Sequence, residues 1–180
     1  HSFVLASASP RRKELFSLLN VPFEIMTSDV EETSVTAQNV QQYVTEVALL
    51  KTRDVAKKCP NKTVIGADTI VVYNDMLLHK PKSREEAINH LQTLSNDTHA
   101  VLTAVAILAP NGQEFTFVEK TKVVFKDVPQ QLIEAYVDSA DPFDKAGGYG
   151  IQTDGVFFVD RIEGDYNNVV GLPIASLVEN

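Results

Sequence analysis

Phe3-Val4-Leu5-Ala6-Ser7-Ala8-Ser9-Pro10-Arg11-Arg12-Lys13 opens the chain with a strand, a polar turn and the start of a helix. The apolar run Phe3–Ala6 reads as a buried strand. Glu14-Leu15-Phe16-Ser17-Leu18-Leu19 continues with apolar residues at helical spacing. Ser9 suits the N-cap, and Pro10 suits the first helical position, where its missing N–H costs nothing. The turn therefore joins two hydroxyls, unpaired backbone N–H groups and three cations at one helix N-terminus. Cations in a first turn oppose the helix dipole. Their presence points to a bound anion, and phosphate suits both the free N–H groups and the arginine fork. Read alone, the stretch also fits a well-capped helix whose first turn is basic.

Outside this turn the chain is acidic. Its 180 residues carry a formal charge of −8. That balance argues against a nucleic-acid polymer as partner, because such binding needs a net basic face. It leaves room for a small phosphorylated ligand. The length suits one sizeable core, so a single domain over residues 1–180 is expected. No apolar run approaches the ~20 residues of a membrane span, and no basic-then-apolar leader is seen. Cys59 is the one cysteine, which fits a reducing compartment. The expectation is a cytoplasmic protein away from membranes. His1, His79, His90 and His99 lack metal-site spacing, so zinc is not expected.

Further along, Val21–Met26 alternates as a second strand, and Val40, Tyr43, Val44, Val47, Ala48 and Val55 mark one face of a long helix. Thr63–Ile65 reads as a short strand running into Gly66-Ala67-Asp68. Thr69–Tyr73 and Met76–Leu78 pair across Asn74-Asp75. Ser83-Arg84-Glu85-Glu86 is a capping box that opens a helix through Leu94. Ala100–Leu108 and Glu114–Phe125 flank Pro110–Gln113 as a hairpin. A helix through Leu132–Val137, a strand over Val156–Ile162 and a helix begun by Pro173 complete the pattern. Strands and helices mix without strict alternation, which predicts an α/β fold with a mixed sheet.

Six of the eight glycines fall after Ala146. Asp144-Lys145-Ala146-Gly147-Gly148-Tyr149-Gly150-Ile151-Gln152 reads as a loop shaped around a ligand, or equally, taken alone, as a flexible connection. It has neither dinucleotide-fingerprint nor Walker spacing. Asp68, placed at the end of its strand beside Gly66, is where α/β folds put metal or water chemistry. Glu31 and Glu32 offer a second carboxylate, also readable as a solvated face. Two acids without histidine suit Mg²⁺, which takes one or two carboxylates plus phosphates and waters. Lys51 interrupts an apolar helix run and Lys80 precedes Pro81. Either lysine is also readable as an ordinary surface residue.

Together these segments resemble the Maf family of nucleoside-triphosphate pyrophosphatases. The resemblance rests on Ala6–Arg12, Glu31, Lys51, Gly66-Ala67-Asp68-Thr69, Lys80-Pro81, Asp144-Lys145-Ala146-Gly147, Tyr149–Gln152 and Gly171-Leu172-Pro173, in family order across nearly the whole chain. It implies an elongated mixed sheet flanked by helices, an active-site cleft and a homodimer. It implies hydrolysis of a nucleoside triphosphate to monophosphate and pyrophosphate with Mg²⁺ or Mn²⁺. On that reading Asp68 is general base, Glu31 and Asp68 hold the metal, and Arg11, Arg12, Lys51, Lys80 and Lys145 neutralise the triphosphate. Ser7, Ser9 and Asp144 join the substrate site. Arg11, Thr69 and Gln152 match the dTTP/UTP branch. Members of the family are also linked to septum formation. His79, Gly148 and Thr153 depart from the usual pattern. The rival expectations are a purine-selective pyrophosphatase of the inosine-triphosphate type and a nucleotide-sensing module acting on cell division.

Overall fold

The computed structural model describes residues 2–30, 37–139, 143, 145–152 and 154–179. Its first strand, β1 (Phe3–Ala6), feeds α1 (Pro10–Ser17) through the polar turn, as the local signals require. Then come β2 (Phe23–Ile25), α2 (Val40–Lys58), β3 (Thr63–Tyr73), β4 (Met76–Leu78), α3 (Arg84–Leu94), β5 (Thr98–Leu108), β6 (Glu114–Phe125) and α4 (Gln130–Asp138). The chain ends with β7 (Val159–Glu163), α5 (Tyr166–Val170) and α6 (Ile174–Glu179). The strands form a seven-stranded sheet in the order β2-β1-β3-β5-β6-β7, with β4 on β3. β1 runs parallel to both β2 and β3, whereas β3–β4 and β6–β7 are antiparallel. The mixed α/β fold expected from the sequence is what forms.

Among the boundaries that differ from the sequence reading, two have a plain local cause. The segment over residues 63–73 is one continuous strand rather than two, so Asp68 lies within β3 and not at its end. Its β-branched residues hold the extended backbone straight through the Gly66-Ala67 step. The last strand begins at Val159, because Asp154–Phe158 coils into a 3₁₀ turn. Gly155 explains this. A Cβ there would stand 2.3 Å from the Gly150 carbonyl oxygen, so the chain is turning hard against its own loop. Across Asn74-Asp75 both residues take positive φ, +48° and +62°. That is the two-residue hairpin geometry matching the right-handed strand twist.

The chain divides into two compact units. The first comprises 1–69, 103–119 and 171–180, and the second 70–102 and 120–170. In the first, Val44, Val47, Ala48 and Val55 of α2 are fully buried, as are Val4 and Val64. Phe16 of α1 meets Phe23 of β2 edge-on at 4.8 Å, an arrangement worth about 1 kcal/mol beyond its area. Cys59 is buried with Val4, Ala6, Val55 and Val64. In the second unit, Leu91 and Leu94 of α3 and Ile133, Tyr136 and Val137 of α4 are buried, and Phe125 and Phe158 join an aromatic cluster with Tyr136 and Tyr149.

Candidate active site

The polar turn after β1 is built as a cradle. Ser7 is buried, and its Oγ accepts from the Ser9 N–H at 3.1 Å. Ser9, with extended backbone, caps α1 by accepting the Arg12 N–H on its Oγ at 3.3 Å. These bonds fix the backbone at the positive end of the helix dipole and present Arg11 and Arg12 from the first turn. Arg12 is held further. Its Nε donates to the Gly171 carbonyl at 2.7 Å and its Nη2 to Thr69 Oγ1 at 2.9 Å. Gly171 has φ +138°, a region that side-chain-bearing residues rarely adopt, and there its carbonyl receives the guanidinium.

Asp68 stands next to this cradle in the sheet. The parallel register pairs Ala6 with Gly66, the last pairing of β1. β3 runs on, and Asp68 lies two residues past that point. The strand that ends beside Asp68 is therefore β1, and carboxyl ends of strands are where α/β folds place ligands. Asp68 is only 9% exposed. Lys51 of α2 places Nζ 3.2 Å from its Oδ1. Burial of a carboxylate demands such a partner. The close approach of α2 comes from Gly66. A Cβ on Gly66 would lie 2.0 Å from Thr52 Oγ1, itself bonded to the Ala48 carbonyl at 2.6 Å. Only glycine lets Thr52 seat there, and Thr52 adjoins Lys51.

Successive strand residues face opposite ways. Thr69 therefore leaves the other face of β3 from Asp68, and its hydroxyl is taken up by Arg12 Nη2 and by Thr103 Oγ1 at 2.8 Å. Ser7, Ser9, Arg11, Arg12, Lys51, Asp68 and Thr69 all belong to the first unit.

The second unit carries the remaining described candidates. Lys80 is exposed after β4, and so is His79. Lys145 precedes a 3₁₀ turn over Ala146–Gly148. Gly147 has φ +72°, and a Cβ there would lie 2.9 Å from Val71 Cγ2. The Gly150 N–H donates to Tyr136 Oη at 2.8 Å. Residues Gly147–Ile151 are buried, and Gln152 beyond them is exposed. The glycine-rich stretch is thus a packed, anchored loop that delivers Gln152 to the surface, not a loose connection. Glu31, Asp144 and Thr153 lie outside the described residues.

Sequence reading missed the buried groups behind these side chains. Thr103 sits in the apolar run of β5, where a hydroxyl is the one discordant group between Leu102 and Ala104. His99 is 3% exposed, with Nε2 2.7 Å from Tyr149 Oη and its ring edge-on to Phe125 at 4.9 Å. Nδ1 has no hydrogen-bond partner among the described residues. Desolvation lowers its pKa to about 4, against a weaker upward pull from Asp97. Burial likewise pushes the Tyr149 phenol up. His99 is neutral when folded and takes a proton more readily when unfolded. Its contribution is complete above about pH 6.5 and is lost as pH falls toward 4, a total of about 3 kcal/mol at full burial. Urea midpoints measured from pH 7 to 4 should fall more steeply for the native protein than for His99→Gln. Parallel curves would contradict the assignment.

Among the described residues no three His, Cys, Asp or Glu side chains gather into a metal cage. One buried carboxylate beside a capped, arginine-bearing turn has the chemistry for a hard, oxygen-seeking ion completed by phosphates and waters. It does not fit an all-protein nitrogen and sulfur site.

The family model described as "Maf-like protein" matches residues 2–180. A relative from Geobacillus sp. (strain WCH70), named dTTP/UTP pyrophosphatase, is 51% identical over 175 residues, covering 97% of this chain and 94% of its own. One of the same name from Bacillus cytotoxicus is 48% identical over 176 residues, covering 98% and 92%. Among solved structures, a HAM1 protein from Coxiella burnetii superposes with TM-score 0.58 at 17% identity, covering 99% of this chain and 96% of that one, a likeness of fold.

Proposed function

Because the chain belongs to the Maf-like protein family, we propose that it hydrolyses dTTP and UTP to the nucleoside monophosphate and pyrophosphate. The observation that carries the reading is Asp68, a nearly buried carboxylate ion-paired to Lys51 at the point where β1 ends and the Ser7–Arg12 cradle begins. The relatives named dTTP/UTP pyrophosphatase at about half identity supply the base preference.

Asp68 takes a proton from the attacking water. The water oxygen bonds to the α-phosphorus, the bridge to the β-phosphoryl group breaks, and pyrophosphate leaves with that bridging oxygen. Arg12 and Lys51 supply positive charge, with Lys80 and Lys145 assigned to the triphosphate as well. Cationic groups fixed before the reaction stabilise charge growing on the leaving group. Ser7 and Ser9 hold the backbone that meets the phosphates. A divalent ion, Mg²⁺ or Mn²⁺, held through Asp68 and Glu31, would neutralise charge and acidify the water. Asp144 stays with the substrate site. Arg11 forks onto a phosphate or a base carbonyl, and Gln152 reads the base edge. The Gln152 amide has both a donor and an acceptor, which suits the edge shared by uracil and thymine. The reading also includes one functional domain and a homodimer, as the family resemblance implies. A reducing cytoplasm is supported by the lone Cys59.

A nucleotide panel tests the proposal. dTTP and UTP should exceed ATP, GTP and 7-methyl-GTP in kcat/KM, each releasing pyrophosphate. CTP should trail UTP, because its amino group puts a donor where a carbonyl acceptor is read. A purine triphosphate as best substrate would favour the inosine-triphosphate type. Tight binding without turnover would favour a nucleotide sensor.

A further inference from the structure

We propose that Thr103 is a positioning residue for the triphosphate clamp, acting through Thr69 on Arg12. This inference rests on the pyrophosphatase reading of the same site. Thr103 is fully buried on β5, in a run otherwise apolar from Val101 to Leu108. A buried hydroxyl there costs stability unless it is hydrogen-bonded, and it is placed 2.8 Å from Thr69 Oγ1. Thr69 Oγ1 in turn accepts from Arg12 Nη2 at 2.9 Å, while Arg12 Nε donates to the Gly171 carbonyl at 2.7 Å. An arginine has only donors, so Thr69 must turn a lone pair toward it. Its own hydrogen then has to point elsewhere, and Thr103 Oγ1 is there to accept it. Either hydroxyl can donate in this pair; with Thr69 as the donor, Thr69 becomes a stronger acceptor for Arg12, since chained hydrogen bonds polarise one another. The result is a guanidinium held at two nitrogens, one on a backbone carbonyl and one on a hydroxyl whose orientation is set from β5.

Without Thr103 the Thr69 hydroxyl is released to rotate, and a restraint on Arg12 is lost. The Thr69 side chain then belongs to phosphate binding rather than to base reading. The consequence is specific. Loss of Thr103 should weaken phosphate affinity and leave the choice between pyrimidines alone.

The test uses the full chain, with Thr103→Val and Thr103→Ser, and Thr103→Ala measured alongside as a smaller replacement. Inorganic pyrophosphate binding is read by calorimetry, and kinetics are read with UTP and CTP. Thr103→Val and Thr103→Ala should bind pyrophosphate about tenfold more weakly, the scale of one hydrogen bond to a charged group. KM for UTP should rise by a similar factor and the UTP-to-CTP efficiency ratio should not move. Thr103→Ser, which keeps the hydroxyl, should bind within about twofold of the native protein on the same scale. Thr69→Val should match Thr103→Val, and the double variant should be no worse than Thr69→Val alone, because both remove one restraint. Unchanged pyrophosphate affinity in Thr103→Val and Thr103→Ala would overturn the proposal, as would failure of Thr103→Ser to restore it. A changed UTP-to-CTP ratio with pyrophosphate binding intact would overturn it too, by making Thr69 a base reader. A native protein that binds pyrophosphate but hydrolyses no nucleotide would instead overturn the pyrophosphatase reading, and the binding comparison would still decide the role of Thr103.

Discussion

Asp68→Asn should lower turnover of UTP on the order of a hundredfold or more, the scale of lost acid–base catalysis, while leaving the fold intact. The substitution keeps the shape of the side chain and removes its ability to take a proton. Asp68 is paired with Lys51 at 3.2 Å, so the charge change leaves that lysine without its carboxylate. Lys51 retains 20% side-chain exposure, which gives water access to the ammonium. Thermal unfolding of Asp68→Asn should therefore remain cooperative, and pyrophosphate should still bind. Near-normal turnover in the folded variant would take Asp68 out of the base role.

Arg12→Met should be the next most damaging change, with kcat/KM for UTP reduced about 10²- to 10³-fold, the loss expected when a fixed donor to developing charge is removed. Methionine fills part of the volume, but the Gly171 carbonyl and Thr69 Oγ1 lose the donor that they share. Arg12→Lys should restore little, because an ammonium cannot reproduce a planar fork tied at two nitrogens. Steady-state kinetics of both variants against UTP check this. A methionine variant within tenfold of the native enzyme would show that Arg12 serves the fold and not the triphosphate.

Much of this was legible in the sequence because its causes are local. Ser9 and Pro10 announce the start of α1 within four residues, and the cap forms as those rules require. Ser83 caps α3 in the same way, accepting from the Glu86 N–H at 3.1 Å. Gly66 marked Asp68, although the physical reason, the seat of Thr52 against β3, lies in a helix packed across the strand. What stayed hidden depends on distant partners. Arg12 meets Gly171 across 159 residues, and Thr69 meets Thr103 across 34. A threonine inside an apolar strand looks like any β-branched residue until its neighbour is known. The late start of β7 was equally invisible, since Val156 and Phe157 have strand composition but are turned outward by the squeeze of Gly155 against Gly150.

Hydrolysis of UTP in ¹⁸O-enriched water, with both products separated and weighed by mass spectrometry, tests the central claim most directly. Attack at the α-phosphorus, with Asp68 as base and the arginine cradle on the leaving group, predicts UMP carrying one ¹⁸O and unlabelled pyrophosphate in equal amounts. Label in pyrophosphate, or UDP and orthophosphate as first products, would contradict it.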